Sequence, residues 1–244
     1  MEVIITDTYN SLSNKAANEL IQLVQPYRHP LLCVASGDTP AGLYKEVVDK
    51  VNKKELDISN WSFVGLDEWT GFNAGDEGSC RYHLNNQLFQ PLQIPENNIC
   101  FFNGRTTEPD KGCERIESFI RHHGGIDLSI LGLGMNGHIG MNEPGTSPSL
   151  RSHVTTLDPI TQKVGQKYFK EQQQLTEGIT LGLATITESK HIVLLVSGSH
   201  KAEIARRLIK EEISEQLPGS LLRNHPGLKI YLDKAAAQLI LPIT

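Results

Sequence analysis

The sequence predicts an α/β fold: a single-domain, doubly wound, mostly parallel sheet with helices on both faces, Rossmann-like, with a small lid segment. Three observations predict it. Short apolar runs recur along the chain, long enough for buried strands and too short for helices. Segments with helical spacing alternate with them, which is the pattern of βαβ units. Several runs end in glycine turns that lead into the next helix, and ligands of open α/β sheets sit at such strand ends.

In order, Val3–Ile5 is a short β-rich start. Leu12, Ala16, Leu20, Leu23 and Val24 recur at helical spacing, and Pro26 closes that helix. Leu31–Ala35 is the first central strand. It runs into Ser36-Gly37-Asp38-Thr39-Pro40, where Thr39 is the expected N-cap and Pro40 the first helical residue. A strand, a glycine turn and a helix start form an anion site from backbone N–H groups and the helix dipole. The carboxylate of Asp38 would repel a phosphate there unless it points away.

Trp61–Leu66 is the next strand and ends in Asp67-Glu68-Trp69. Only one of the two acids can face a crevice, and Glu68 reads as structural. Ser79 caps a helix carrying Tyr82, Leu84, Leu88 and Phe89, and Ile99–Phe102 is a short strand. Asp110–His123 is amphipathic, with His122 and His123 complementing the dipole at its end. Ile126–Leu133 is a buried strand broken by Gly132, Gly134 and Gly137. His138, Asn142, Glu143 and Pro144 follow the turn. Val154–Leu157 is an edge strand, and Asp158–Glu177 is polar and only weakly helical, as a mobile lid would be. Gly178–Leu183 and Ile192–Val196 are apolar again. Gly198-Ser199-His200-Lys201 opens a helix over Ala202–Ile213. A lysine in a first helical turn is disfavoured by the dipole and so points to an anionic neighbour. Leu228–Leu232 is the last strand, before a short tail.

Composition narrows the function. The 244 residues carry a formal net charge of −5, with no basic stripe, so nucleic acid is not an expected partner. No apolar run reaches the roughly 20 residues of a membrane span, and the N-terminus is not a signal peptide. The four cysteines form no CxxC pair and none lies near a histidine at metal-ligand spacing. No metal and no cofactor is expected, and a reducing cytoplasm is the simple reading. The G-x-S-x-G elbow is absent. Gly132–Gly137 has the spacing G-x-G-x-x-G but leads into HIGMNEP rather than an apolar helix, so it is not a dinucleotide fingerprint.

Four strand ends then share one sheet edge: Ser36–Thr39, Asp67-Glu68, Asn136–Glu143 and Gly198–Lys201. They bring together a carboxylate, a histidine with a carboxylate beside it, and anion sites. The chemistry this supports is proton transfer on a small phosphorylated substrate.

LDEW (Leu66–Trp69), LGLGMNGHIGMNEP (Leu131–Pro144), SGSHKA (Ser197–Ala202) and SGDTPAGLY (Ser36–Tyr44) resemble the glucosamine-6-phosphate deaminase/isomerase family, over almost the whole chain. LDEW, GSC (Gly78–Cys80) and NEPG resemble its galactosamine-6-phosphate isomerase-like branch. The related 6-phosphogluconolactonases share the fold and glycine loop but lack the glutamate of NEP, so Glu143 places the chain on the deaminase side, with a lactonase as the alternative. The resemblance implies one isomerase domain over residues 1–244 with a lid at 150–178. It implies conversion of glucosamine 6-phosphate or galactosamine 6-phosphate to the ketose 6-phosphate plus ammonia. Asp67 would be the base between C2 and C1. His138 would open the pyranose, oriented by Glu143. Asn136 stands where some members have an aspartate and can hold the histidine only by hydrogen bonding. The phosphate would rest on Ser36, Gly37, Asp38, Thr39 and Lys201, and on Lys167, which matches an arginine of some members. The expected partner is a small phosphorylated amino sugar, and the family leaves room for a homo-oligomer. The chain stops short of the C-terminal extension of the long members, which implies no activation by N-acetylglucosamine 6-phosphate.

Overall fold

The computed structural model describes residues 1–240 of the chain, so the last four residues of the tail lie outside the described residues. Among the described residues, ten strands form two sheets. In chain order they are β1 (Glu2–Thr6), β2 (Leu31–Val34), β3 (Ser62–Gly65), β4 (Asp67–Trp69), β5 (Ile99–Cys100), β6 (Leu128–Gly132), β7 (His153–Thr156), β8 (Glu177–Thr180), β9 (His191–Val196) and β10 (Leu228–Asp233). Seven of them make one wholly parallel sheet in the order β1-β10-β9-β6-β2-β3-β5. From β2 the chain winds outward through β3 to β5. It then returns to β6, on the other side of β2, and winds the opposite way through β9 and β10. The loops after β2 and β6 therefore diverge, which opens the crevice of a doubly wound sheet between them.

Burial on both faces explains why these strands read as unbroken apolar runs. Leu31 and Cys33 of β2 pack on one side, while Leu32 and Val34 pack on the other. The same period-two split puts Ile192, Leu194 and Val196 of β9 opposite Val193 and Leu195. Helices α1 (Tyr9–Val24) and α2 (Asp38–Asn52) cover one face through Leu12, Leu20, Leu43 and Tyr44. Two of the later helices, Pro109–His122 and Ala202–Lys210, cover the other through Ile116, Ile120, Ile204 and Leu208.

Four expectations change. Helix α2 begins at Asp38, capped by Gly37 and not by Thr39, so Pro40 is its third residue. Gly37 adopts φ 110°, a left-handed conformation that glycine takes freely. The chain can then turn into the helix without a side-chain cap, and its first N–H groups stay open. Second, Asp67-Glu68-Trp69, expected only as the end of the preceding strand, is a strand of its own. As β4 it pairs antiparallel with β8, and β7 completes a separate three-stranded sheet. Third, Pro159–Gly165 is a formed helix. Asp158 caps it, its carboxylate accepting the Ile160 N–H at 2.7 Å, and Pro159 fills the first position at no cost in hydrogen bonds. The next helix after β9 stops at Lys210, short of Ile213, and Lys201 lies in a tight turn before it.

Candidate active site

The cavity at the crevice holds about 410 Å³. Its walls come from the carboxyl ends of β2, β3, β6 and β9, and its roof from residues 160–168. Ser36, Gly37, Asp38, Thr39, Asp67, His138, Lys167 and Lys201 all line it. Asn136 and Glu143 do not. They stand behind His138 and can act on anything in the cavity only through it.

The glycine loop is held from below. The Tyr9 hydroxyl donates to the Asp38 carbonyl at 2.7 Å and accepts the Gly42 N–H at 2.7 Å. A Cβ on Gly37 would lie 3.0 Å from the Tyr168 hydroxyl, so the roof closes directly on this loop. The Asp38 carboxylate turns toward Lys167, 2.7 Å from its ammonium.

Asp67 and Glu68 point opposite ways, as neighbours in a strand must. Asp67 lines the cavity at 9% exposure. Burial pushes its carboxyl up to about 6, against the Cys80 thiol and the His138 charge, which favour the ionised form. Glu68 is fully buried and accepts three backbone N–H groups, from Trp69, Cys80 and Arg81, at 2.9, 2.9 and 3.0 Å. It fastens the short helix Cys80–Leu84 to β4 and so fixes the strand that carries Asp67. Burial pushes Glu68 up to about 7.

The turn after β6 is shaped around His138. Its Nδ1 faces Thr161 Oγ1 at 3.0 Å and Glu143 Oε2 at 3.3 Å. Asn136 donates to Glu143 Oε2 at 2.8 Å and accepts the His138 N–H on its Oδ1 at 3.2 Å. The Asp158 N–H donates to Glu143 Oε1 at 3.2 Å. Burial pushes Glu143 up, but the hydrogen bonds of His138, Thr161 and Asn136 and the imidazole charge outweigh it. The carboxyl ends below the usual range. Asn142 is structural: its amide donates to the carbonyls of Ile139 and Leu181, both at 2.8 Å.

Lys201 reaches back over the end of β6 and donates to the Leu133 carbonyl at 2.6 Å. Burial, with Lys167 nearby, pulls its ammonium down to about 8. The site thus brings two lysines and the open N–H groups of α2 into one cavity with a carboxylate and an imidazole. Such a set of groups can bind a phosphate and move protons. Among the described residues, no cluster of His, Cys, Asp and Glu could hold a metal ion.

Thr161 and Tyr168 escaped the sequence reading. Asp158-Pro159 is a legible helix start, but nothing local places Thr161 on His138. All four cysteines are buried thiols, and Cys80 lies in the cavity wall.

A parallel sheet with a cavity at its switch point, lined by a buried carboxylate, an imidazole and two ammonium groups, defines an α/β protein that holds its ligand at the strand ends. Comparison with known proteins is more specific. Residues 6–230 match the family model described as glucosamine-6-phosphate isomerases/6-phosphogluconolactonase, and the chain belongs to that family. It is 37% identical over 239 residues to a glucosamine-6-phosphate deaminase of Oceanobacillus iheyensis, covering 98% of this chain and 96% of that one. It is 35% identical to one of Clostridium perfringens, covering 98% and 100%. A solved structure of a monomeric glucosamine-6-phosphate deaminase superposes with a TM-score of 0.94 at 34% identity, over 98% of this chain and all of that one. A 6-phosphogluconolactonase from Leishmania guyanensis shares the fold, with a TM-score of 0.76 at 21% identity over 99% of each chain.

Proposed function

We propose that this protein converts glucosamine 6-phosphate to the ketose 6-phosphate and ammonia. One observation carries the reading: the buried Asp67 carboxylate and the His138 imidazole, backed by Glu143, line one cavity with Lys201 and Lys167. The backbone N–H groups of Gly37–Thr39 and the two ammonium groups bind the phosphate, which places the sugar ring toward Asp67 and His138.

His138 acts on the ring oxygen and opens the pyranose. Asp67 then takes the C2 proton and returns it at C1. The product of that shift is an imine at C2, which water hydrolyses to the ketone and free ammonia. A general base works best with a pKa near the working pH, and the burial of Asp67 moves its carboxyl toward it. The segment 150–178 serves as a lid, with Pro159–Gly165 and Lys167 closing over the bound sugar.

The curated relatives at 35–37% identity support the deaminase reading, and the presence of Glu143 supports it over a lactonase. The galactosamine epimer differs only in the direction of the C4 hydroxyl and is the comparison to run. Purified protein should release ammonia and ketose phosphate from glucosamine 6-phosphate. Release from galactosamine 6-phosphate alone would move the substrate to the other epimer. Hydrolysis of 6-phosphogluconolactone with no ammonia from either amino sugar would overturn the proposal.

A further inference from the structure

The nearest partner of His138 Nδ1 is not the carboxylate behind it but Thr161, a residue of the roof helix. Thr161 is 6% exposed and its Oγ1 lies 3.0 Å from Nδ1, against 3.3 Å for Glu143 Oε2. The cap of the same helix reaches the carboxylate, through the Asp158 N–H on Glu143 Oε1. Glu143 Oε1 thus accepts from the roof, while Oε2 is shared by the site floor, through Asn136, and the imidazole.

The hydrogen-bonding capacity of these groups limits how they can be arranged. An ionised carboxylate only accepts, a hydroxyl donates once and accepts, and a neutral imidazole carries hydrogen on one nitrogen only. With Glu143 ionised, a bare Nδ1 would set lone pair against lone pair. Hydrogen on Nδ1 resolves this: Thr161 Oγ1 accepts it, and the threonine hydroxyl hydrogen is released toward the carboxylate. Nε2 is then bare. It lies on the side of the ring that faces Gly134, which also lines the cavity.

We propose that Thr161 is a positioning residue. Its hydroxyl bridges His138 and Glu143, holds the imidazole in the Nδ1–H tautomer, and makes that tautomer depend on a seated roof helix. A bare Nε2 is the form able to accept a proton from the sugar and give it back. The inference deepens the proposed amino-sugar deaminase reading and rests on it for its kinetic consequence. Its structural content stands without a substrate.

The test uses the full chain and three variants. In long-range ¹H–¹⁵N spectra, the His138 signal is assigned by its loss in His138→Gln. The wild type should show the Nδ1–H tautomer. Thr161→Val, which keeps the shape and loses the hydroxyl, should show a mixture or the Nε2–H form. With glucosamine 6-phosphate, Thr161→Val should lower kcat by about 10- to 100-fold, part of what a well-placed acid–base group contributes. KM should stay within about twofold, because no phosphate contact is lost, and Thr161→Ser should restore most of kcat. A wild-type tautomer and kcat in Thr161→Val would overturn the proposal. So would a serine variant as slow as the valine one. If the wild type turns over no amino sugar phosphate, the functional reading fails, and the tautomer shift alone still decides the role of Thr161.

Discussion

Lys167 Nζ lies 2.7 Å from Asp38 Oδ2, so one ion pair joins the turn after the roof helix to the first turn of α2 across the cavity mouth. Both side chains are about half exposed or more, and such pairs contribute about 0.2–1 kcal/mol. A phosphate in the loop competes with Asp38 for the same ammonium. Asp38→Asn should therefore tighten binding of inorganic phosphate by up to about fivefold, more at low salt than at high. Lys167→Ala should weaken it. Titration calorimetry at two salt concentrations reads both, and weaker binding in Asp38→Asn would show that the carboxylate helps the anion site rather than opposing it.

Asp67→Asn should abolish turnover and stabilise the fold. The folded carboxyl titrates near 6, against 3.8 for the free group. Between those values the native state keeps a proton that the unfolded chain has lost, so stability falls as pH rises through the window. The loss is complete above it. About two pKa units correspond to roughly 3 kcal/mol. The asparagine variant should therefore exceed the wild type by that order at pH 7.5 and converge with it near pH 3.5. Denaturant melts across pH test the stability. Retained C2 proton exchange in the variant would remove Asp67 as the base.

Asn136→Asp sets a second carboxylate against Glu143 Oε2, at the 2.8 Å contact the amide now makes. Like charges this close cannot both ionise freely, so Glu143 loses a donor and its carboxyl rises. The acid limb of kcat should move to higher pH, and the rate at pH 6 should fall relative to pH 8. An unmoved profile would mean that ionisation of Glu143 does not enter the rate.

Gly134→Ala tests the space reserved for the imidazole. A Cβ there would lie 2.4 Å from the His138 ring, with no conformational demand on the backbone, since Gly134 is not among the positive-φ glycines. The ring must move off Thr161 and Glu143. Activity should fall by about 100-fold or more, the scale of a misplaced acid–base group, with an unchanged circular dichroism spectrum. Full activity would show that the ring has another productive seat.

The parallel sheet was legible because β2, β6 and β9 are buried on both faces, and a strand of that kind shows as an apolar run whatever surrounds it. The small sheet was not. Asp67-Glu68-Trp69 has no apolar run, and only pairing with β8 makes it a strand. The start of α2 was misplaced by two residues because Thr39 and Pro40 are good local signals, while the left-handed Gly37 that sets the true boundary has no signal beyond being glycine.

The kinds of chemistry present, and the strand ends that carry them, follow from local rules: an apolar run, a glycine turn, then Asp67, His138 or Lys201. Those rules act over a few residues and survive in the linear chain. Partner choice does not. Asp38 meets Lys167 across 129 positions, and His138 meets Thr161 across 23. Both contacts exist because residues 159–168 fold over the crevice. What holds them there is long-range packing: Trp69 against Gly165, and Phe169 against Phe72 and Trp69. Burial of that kind depends on what the whole chain brings to one place. Only the tertiary structure could turn a histidine with a nearby glutamate into an imidazole gripped by a helix of its own roof.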